Sequence, residues 1–167
     1  MHIRQWILLA AATFTSSCGS NPLVSSESQT LTAAQFKSVS KSARIFALEV
    51  ASDVTKEGPS AWLKHFEESP SFFMASEGRL VSPDNASAAT AIQELSRSTP
   101  HIELTWGSDL RVDPLTPGLA VLAASYREVE VSSTGEHKEI SGFFTGVTEQ
   151  QQGRWRFRDA HWSVGHE

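Results

Sequence analysis

An aspartate and a histidine lie two residues apart near the carboxyl end of the chain, at Asp159 and His161. In an extended strand, residues at this spacing point to the same face of a sheet. An imidazole titrates near neutral pH, so a carboxylate beside it could complete a general acid–base pair. A structural role fits equally: His161 would donate a hydrogen bond within the core, and Asp159 would lie at a hydrated rim. Both interpretations stay open.

The only tyrosine, Tyr126, is a third candidate catalytic residue. A phenol at the floor of a pocket could donate a hydrogen bond to a carbonyl or a developing oxyanion. An interior aromatic residue with one satisfied hydroxyl explains Tyr126 as well. Glu128 and Glu130 continue its face toward the strand end, where we expect them to reach solvent. The residues before Tyr126 on the same predicted face are small or apolar, namely Ala120, Leu122 and Ala124.

Large aromatic side chains are spread over the segments that would enclose a pocket. Such residues could line an apolar cavity suited to a flat or hydrophobic ligand. Ordinary core packing explains the same residues, so their role stays open. The candidate ligand-binding residues are Trp62, Phe73, Trp106, Tyr126, Phe144, Trp155 and His161.

Other kinds of chemistry have little support in the sequence. Neither a glycine-rich phosphate loop nor a serine nucleophile elbow is present. No pair of histidines has a ligand spacing on one helix, so we predict neither a metal site nor a cofactor. The histidines considered are scattered along the chain, at His101, His137, His161 and His166.

The composition predicts one soluble domain that does not bind nucleic acid. The chain has 167 residues, of which 40% are hydrophobic, and this is enough for a single core. Its 14 basic and 19 acidic residues give a net charge of -5. An acidic surface repels nucleic acid unless a local basic patch overrides it. The only cysteine, Cys18, excludes a disulfide within the chain.

The amino terminus has the layout of a secretory signal. Arg4 supplies a positive start, Trp6 to Phe14 form an apolar run, and three small residues precede Cys18. The run is shorter than the roughly 20 residues that span a membrane as a helix. The segment resembles the bacterial lipobox, whose cysteine is lipidated and becomes the first mature residue. Thr15 departs from the aliphatic residue usual there, so plain signal cleavage is the alternative.

These features predict three segments. They are a signal peptide at residues 1–17, a flexible serine-rich tether at 18–31 that follows lipidated Cys18, and a folded domain at 32–167. Two lipid groups on one cysteine would satisfy the rule that stable anchoring takes more than one acyl chain. We therefore expect an exported, membrane-anchored lipoprotein that faces the periplasm or the cell exterior.

Helical signals gather in the first part of the domain. Thr32 and Gln35 form a capping box, and Gly58-Pro59 ends the helix that begins there. A short second helix is predicted at residues 61–66 and a third at 82–98. The apolar residues of the first helix recur at spacings of three and four, at Phe36, Val39, Ala43, Phe46, Val50 and Val54.

The hydrophobic period changes to two after Pro100. Two brief strands precede this point, and the short turn-like segments between the last three long strands imply antiparallel hairpins. Helices early and strands late predict an α+β domain in which a curved, mostly antiparallel sheet wraps three helices. The predicted long strands span residues 102–112, 119–132, 139–149 and 154–164.

The last predicted strand resembles that of the SnoaL-like families, in the nuclear transport factor two-like superfamily. The shared pattern is Gly-x-Trp-x-apolar-x-x-x-His-x-Ser, and the element order agrees over roughly residues 33–164. The resemblance implies a cone-shaped half-barrel, also described as cystatin-like, whose sheet and helices enclose a pocket, often in a homodimer. The matching residues are Gly153, Trp155, Phe157, His161 and Ser163.

Members of this superfamily include isomerases, cyclases, epoxide hydrolases, dehydratases and domains without demonstrated catalysis, so the fold places a site without fixing its chemistry. The leading hypothesis is a pocket domain that binds a small apolar or amphipathic molecule. An acid–base enzyme that uses His161, Asp159 and Tyr126 is the first alternative. A structural envelope domain that recruits a partner is the second.

Overall fold

The computed structural model describes residues 30–165 and contains two α-helices, one 3-10 helix and eight strands in that range. The predicted signal peptide, Cys18 and nearly all of the tether lie outside the described residues. None of the helices in residues 30–165 is both long and apolar enough to cross a membrane. In chain order the elements are α1 (Ala33–Glu57), the 3-10 helix (Pro59–Lys64), β1 (Phe73–Ser76), β2 (Arg79–Ser82), α2 (Asn85–Ser98), β3 (His101–Trp106), β4 (Arg111–Thr116), β5 (Leu119–Val131), β6 (His137–Gln151), β7 (Arg154–Phe157) and β8 (Asp159–Val164).

The capping box predicted for the first helix is present. The Gln35 backbone N–H donates to Thr32 Oγ1 at 3.2 Å, and the Thr32 N–H donates to Gln35 Oε1 at 2.9 Å. The sequence pattern begins the apolar stripe of α1 at Phe36, but 49% of the surface of Phe36 is exposed. The first buried residue of α1 is Val39, almost one turn later. The rest of the predicted stripe is buried, at Val39, Ala43, Phe46, Val50 and Val54.

The end of α1 depends on a glycine. Gly58 has a φ of 78°, a region that side chains disfavour, and a Cβ there would lie 2.5 Å from the Pro100 carbonyl oxygen. The chain then enters the 3-10 helix at Pro59, whose missing N–H is not needed at a helix start. The second helix predicted at residues 61–66 therefore begins two residues earlier and has the tighter 3-10 geometry.

The eight strands form one sheet, in the order β2-β1-β8-β6-β5-β3, with β4 also paired to β5 and β7 to β6. Every pairing among these strands is antiparallel except that of β1 with β8. The helices pack against one face of this curved, open sheet, and the core lies between them. The predicted α+β class, with a mostly antiparallel curved sheet, is confirmed.

The strand predicted at residues 102–112 is divided into β3 and β4, which both pair with β5. Asp109 holds the intervening turn: its carboxylate accepts from the Ser125 hydroxyl at 2.7 Å and from the Ser125 N–H at 3.1 Å. The hydrogen bonds from Ser125 keep the pKa of Asp109 below its usual value.

The strand predicted at residues 154–164 is divided as well, by a β-bulge at Arg158. Phe157 pairs with Thr148 and His161 pairs with Thr145. The chain therefore advances four residues from Phe157 to His161 while β6 advances only three. One extra residue reverses which side chains face the core. Odd-numbered residues face inward on β7, whereas even-numbered ones do on β8, where Ala160 is fully buried and His161 is exposed.

Two glycines on the concave face of β6 allow the sheet to bend closely there. A Cβ on Gly142 would lie 1.9 Å from the Ser163 carbonyl oxygen, and one on Gly146 would lie 2.8 Å from that of Asp159. Phe144, between the two glycines, packs its ring against Trp162 with centroids 5.1 Å apart. The bend in β6 thus brings the inner side chains of β8 into the core.

Candidate functional site

An apolar cavity of about 250 Å³ lies between the 3-10 helix, α2 and the concave face of the sheet. Most of its lining is aliphatic or indole surface. The lining also contains one phenol and one carboxyl group, those of Tyr126 and Glu128 on β5. The lining residues are Trp62, Met74, Ser76, Val81, Ile92, Leu95, Ile102, Tyr126, Glu128, Ile140, Trp162 and Val164.

Tyr126 lies on the inner face of β5, as the strand alternation predicts, with Ala120, Leu122 and Ala124 buried on the same face. Only 5% of its surface is exposed. Burial, followed by the charges of Glu128, Glu77 and Glu130, raises the pKa of Tyr126 to about 12. The phenol therefore stays protonated at neutral pH and can donate a hydrogen bond into the cavity.

Glu128 lies two residues further along the same face and also lines the cavity. Its neighbours in the sheet are the apolar residues Leu104 and Ile140, and among residues 30–165 no group forms a hydrogen bond or ion pair with its carboxylate. Burial, reinforced by the charge of Glu130, raises the pKa of Glu128 to about 7. Glu128 is half-buried where it lines the cavity, so the prediction that it reaches solvent at the strand end holds only in part.

His161 does not face the cavity, contrary to the sequence-based expectation. Its side chain is on the outer face of the sheet, where Nδ1 lies 3.5 Å from Thr145 Oγ1. The extra residue at Arg158 moves the imidazole outward and turns Trp162 inward. His161 and Tyr126 therefore do not face the same cavity.

Asp159 is held at the bulge and does not reach the cavity lining. Its Oδ1 accepts a hydrogen bond from the Val147 backbone N–H at 3.1 Å. Burial raises the pKa of Asp159, against the opposing effects of this hydrogen bond and of Arg158. The structure thus supports a structural contact for Asp159 and separates it from Tyr126.

The seven predicted ligand-binding residues divide between several places. Trp62 and Tyr126 line the apolar cavity. Trp106 and Phe144 pack against each other in the core with ring centroids 5.2 Å apart, and the Trp106 indole donates to the Ala47 carbonyl oxygen. The prediction that Phe73 lines the pocket is wrong, since it is 42% exposed on the outer face of the sheet.

Trp155, the remaining candidate, lines a separate groove. The tryptophan of the last segment that lines the cavity is Trp162. Trp155 donates its indole N–H to Ser42 Oγ of α1 at 3.2 Å, and both residues line this groove. Trp162 meets Trp62 edge to face, with ring centroids 5.5 Å apart. Alternation along an unbroken strand would place Trp162 on the outer face. Its position in the cavity lining therefore depends on the bulge, which the sequence pattern does not predict.

The separate groove, of about 460 Å³, runs between α1, the 3-10 helix and β7. His65 Nε2 lies 3.1 Å from Asp53 Oδ2 there, and burial lowers the pKa of His65 against the opposing charge of Asp53. Sequence reasoning missed this pair because a helix end separates the two residues. The walls of this groove mix acidic and basic groups, whereas the smaller cavity has the apolar surface that ligand pockets need.

Within the described part of the chain, no group of three or more histidine, cysteine, aspartate or glutamate side chains is placed to hold a metal ion.

Comparison with known proteins gives matches to solved structures alone. No protein-family model and no curated protein matches the chain. A nuclear transport factor 2 (NTF2-like) superfamily protein from Salmonella enterica serovar Typhimurium is 13% identical, with a TM-score of 0.62 over 82% of this chain and 95% of its own. The chain has the NTF2-like fold.

Two further structures with this NTF2-like fold carry names that refer to enzymes. A putative scytalone dehydratase from Novosphingobium aromaticivorans is 8% identical, with a TM-score of 0.63 over 75% of this chain and 83% of its own. A ketosteroid isomerase-like protein from Erwinia carotovora atroseptica is 10% identical, with a TM-score of 0.62 over 79% of this chain and all of its own. At such identities the likeness extends to the fold and not to the chemistry.

Proposed function

We propose that this NTF2-like domain binds a small apolar or amphipathic molecule in the cavity between α2 and the sheet. The observation that carries the proposal is the lining, which joins aliphatic side chains to the indoles of Trp62 and Trp162. Apolar cavities of about 150 Å³ already hold benzene, and pockets for drug-sized ligands begin at about 300 Å³. A cavity of about 250 Å³ therefore suits a ligand slightly larger than benzene.

Two neighbouring residues of β6 allow a matched test. Ile140 lines the cavity, whereas Ser141 points to the opposite face of the same strand. Benzyl alcohol should bind the unaltered protein and Ser141→Trp, as measured by tryptophan fluorescence and calorimetry. It should not bind Ile140→Trp, whose larger side chain fills the space. Equal binding to both variants would contradict the proposal.

Mass spectrometry of the natively purified protein can identify a ligand that co-purifies. The expected result is a small molecule bound to the unaltered protein and absent from Ile140→Trp. If neither assay detects a small molecule in the cavity, the structural envelope hypothesis gains support over binding.

A second candidate function is proton transfer on a small carbonyl compound. Tyr126 and Glu128 line one cavity from alternate positions of β5, and the pKa of Glu128 is raised to about 7. A carboxylate in that range can accept a proton from carbon near neutral pH, while a neutral phenol stabilises the oxyanion that develops. Glu128 thus takes the role that the sequence-based hypothesis gave to His161.

Hydrogen exchange provides a direct test of this second candidate. Cyclohexanone incubated in D₂O with the protein should exchange its α-hydrogens faster than with buffer alone, as NMR can follow. The rate should rise with pH around 7, since the ionised carboxylate is the base. Glu128→Gln should remove the acceleration, whereas His161→Gln should retain it. Loss of acceleration in His161→Gln alone would refute this assignment.

The proposal includes a homodimer formed through the outer face of the sheet. The described helices pack on the concave side, which leaves the outward side chains of β5 and β6 without a covering layer. Phe143, on this outer face, is 44% exposed, and its neighbours Ser125 and Ser163 are uncharged. Light scattering should give the mass of a dimer for the unaltered protein and of a monomer for Phe143→Arg. A monomer in both cases would refute the dimer.

The proposal also includes export and lipid anchoring through Cys18, on the sequence pattern alone. Mass spectrometry of the mature protein should find diacylglycerol and an acyl chain on Cys18, with residues 1–17 removed. Cys18→Ser should move the protein from the membrane fraction to the soluble one. An unmodified Cys18, or an unchanged distribution of the variant, would refute the anchor.

A further inference from the structure

The cavity contains a carboxylate without a partner. Glu128 is the only carboxylic acid among the described lining residues, and no lysine, arginine or histidine lines the cavity with it. An ionised group in apolar surroundings is costly unless an opposite charge or a hydrogen-bond donor accompanies it. A ligand cation at this point would supply the opposite charge.

Two further acidic side chains, Glu77 and Glu130, lie close enough to act on the charged groups at this end of the cavity. The charge of Glu130 acts on Glu128, and the charges of Glu77 and Glu130 act on Tyr126. Glu77 also accepts a hydrogen bond from the Val164 N–H, which ties it beside a lining residue. The local field thus favours a positive charge at this end.

The nearby basic side chains do not neutralise Glu128. Lys138 on β6 lies opposite Glu130 in the register, Arg79 is on β2, and Arg97 is in the last turn of α2. All three are exposed, and none forms an ion pair with Glu128. They therefore leave the carboxylate available to a ligand.

The other side of the cavity offers aromatic surface. Trp62 and Trp162 both line it, and their edge-to-face contact presents indole surface to the interior. Indole faces attract cations through the ring quadrupole. Aliphatic residues, among them Ile92, Leu95 and Ile102, complete the lining and suit the apolar part of a ligand.

We infer that the cavity selects a small apolar amine, whose ammonium group pairs with Glu128 and whose hydrophobic part lies against Trp62, Trp162 and the aliphatic lining. This inference rests on the proposed binding function and names the class of ligand. A matching alcohol lacks the charge that Glu128 can pair with, and a matching carboxylate would be repelled by Glu128 and by the nearby charge of Glu130.

Proton linkage gives the inference a distinctive signature. An ammonium ion pairs with the ionised form of Glu128, whose pKa in the empty protein is about 7. Lowering the pH from 8 to 6 reduces the ionised fraction, so amine affinity should fall about tenfold, and binding at pH 6 should release a proton. An alcohol should show neither effect.

Calorimetry with benzylamine, benzyl alcohol and phenylacetate tests the inference. At pH 8, benzylamine should bind about tenfold or more tightly than benzyl alcohol, and phenylacetate should bind weakest. At pH 6, the heat of benzylamine binding should depend on the ionisation enthalpy of the buffer, because a proton is released. Benzyl alcohol binding as tightly as benzylamine would overturn the amine inference and leave the proposed binding function intact. Absence of binding by all three would overturn both.

Glu128→Gln and Glu136→Gln form a matched pair of variants. Each removes one negative charge, but Glu136 is exposed in the β5–β6 turn, away from the cavity. Glu128→Gln should bind benzylamine and benzyl alcohol equally and lose the pH dependence, whereas Glu136→Gln should behave like the unaltered protein. The buffer-dependent heat of the unaltered protein tests the inference even if a variant folds poorly. Retained amine preference in Glu128→Gln would overturn it.

Discussion

The Asp159 carboxylate accepts a hydrogen bond from the Val147 backbone N–H at 3.1 Å, at the point where β6 changes partner from β7 to β8. The Arg158 N–H donates in return to the Val147 carbonyl oxygen at 2.8 Å. Together these contacts satisfy the backbone of Val147, which pairs with β5 but lies between the registered pairs of β6 with β7 and with β8. The bulge places Trp162 in the cavity and His161 outside.

Asp159→Ala should lower the free energy of unfolding by about 1–2 kcal/mol, because the Val147 N–H loses its acceptor in a partly buried position. Asp159→Asn keeps a side-chain oxygen acceptor and should retain most of the stability. Urea unfolding followed by tryptophan fluorescence measures both. Equal losses for the two variants would show that the hydrogen bond is not the cause.

Gly142→Ala should destabilise the protein by about 1–3 kcal/mol or more, because its Cβ would collide with the β8 backbone at Ser163. Gly118→Ala is the matched control, since the nearest atom to its Cβ, on Gln150, is 3.7 Å away. The control should stay within about 0.5 kcal/mol of the unaltered protein. Thermal and urea unfolding provide the comparison, and similar stability of the two variants would contradict the role given to Gly142.

Glu128→Gln should stabilise the folded protein at high pH. The pKa of Glu128 is about 7 in the fold and near 4.5 in the unfolded chain, so the folded state binds more protons between these values. Stability therefore falls as pH rises through this window, and the uncharged glutamine avoids that loss. We expect a gain of about 2 kcal/mol at pH 8 and none at pH 4.

Glu136→Gln, at an exposed turn position, should change stability by less than about 0.5 kcal/mol at either pH. Urea unfolding at pH 4 and pH 8 compares the two variants. A constant difference between Glu128→Gln and the unaltered protein over this range would contradict the burial of the Glu128 carboxylate.

His65→Gln should reduce the loss of stability on acidification. Burial lowers the pKa of His65 below its ordinary value of 6.5, so below pH 6.5 the unfolded chain binds the proton more readily. Stability is therefore complete above pH 6.5 and falls as the pH drops toward the folded pKa. Unfolding at pH 7.5 and 5.5 should show a smaller decrease for His65→Gln than for the unaltered protein.

His137→Gln, in an exposed position of β6, is the control for His65→Gln. It should lose as much stability between pH 7.5 and 5.5 as the unaltered protein does. If His65→Gln loses the same amount as well, then the buried His65–Asp53 contact does not contribute to the acid sensitivity.

Much of the architecture follows from local signals in the sequence. The capping box at Thr32, the stop at Gly58-Pro59 and the change of hydrophobic period after Pro100 predict helices and strands that the structure confirms. The alternation that places Tyr126 inward also holds, because β5 runs unbroken for 13 residues. Each of these signals depends on residues within one element, so it can be recognised without the rest of the fold.

The tertiary structure alone decided the composition of the candidate site. The bulge at Arg158 is defined against the partner strand β6, and it exchanges His161 for Trp162 on the inner face. Glu128 lines the cavity between Leu104 of β3 and Ile140 of β6, and no pattern within β5 reveals these neighbours. Periodicity fixes the side chains of one element relative to each other, whereas burial and pKa depend on what packs against that element.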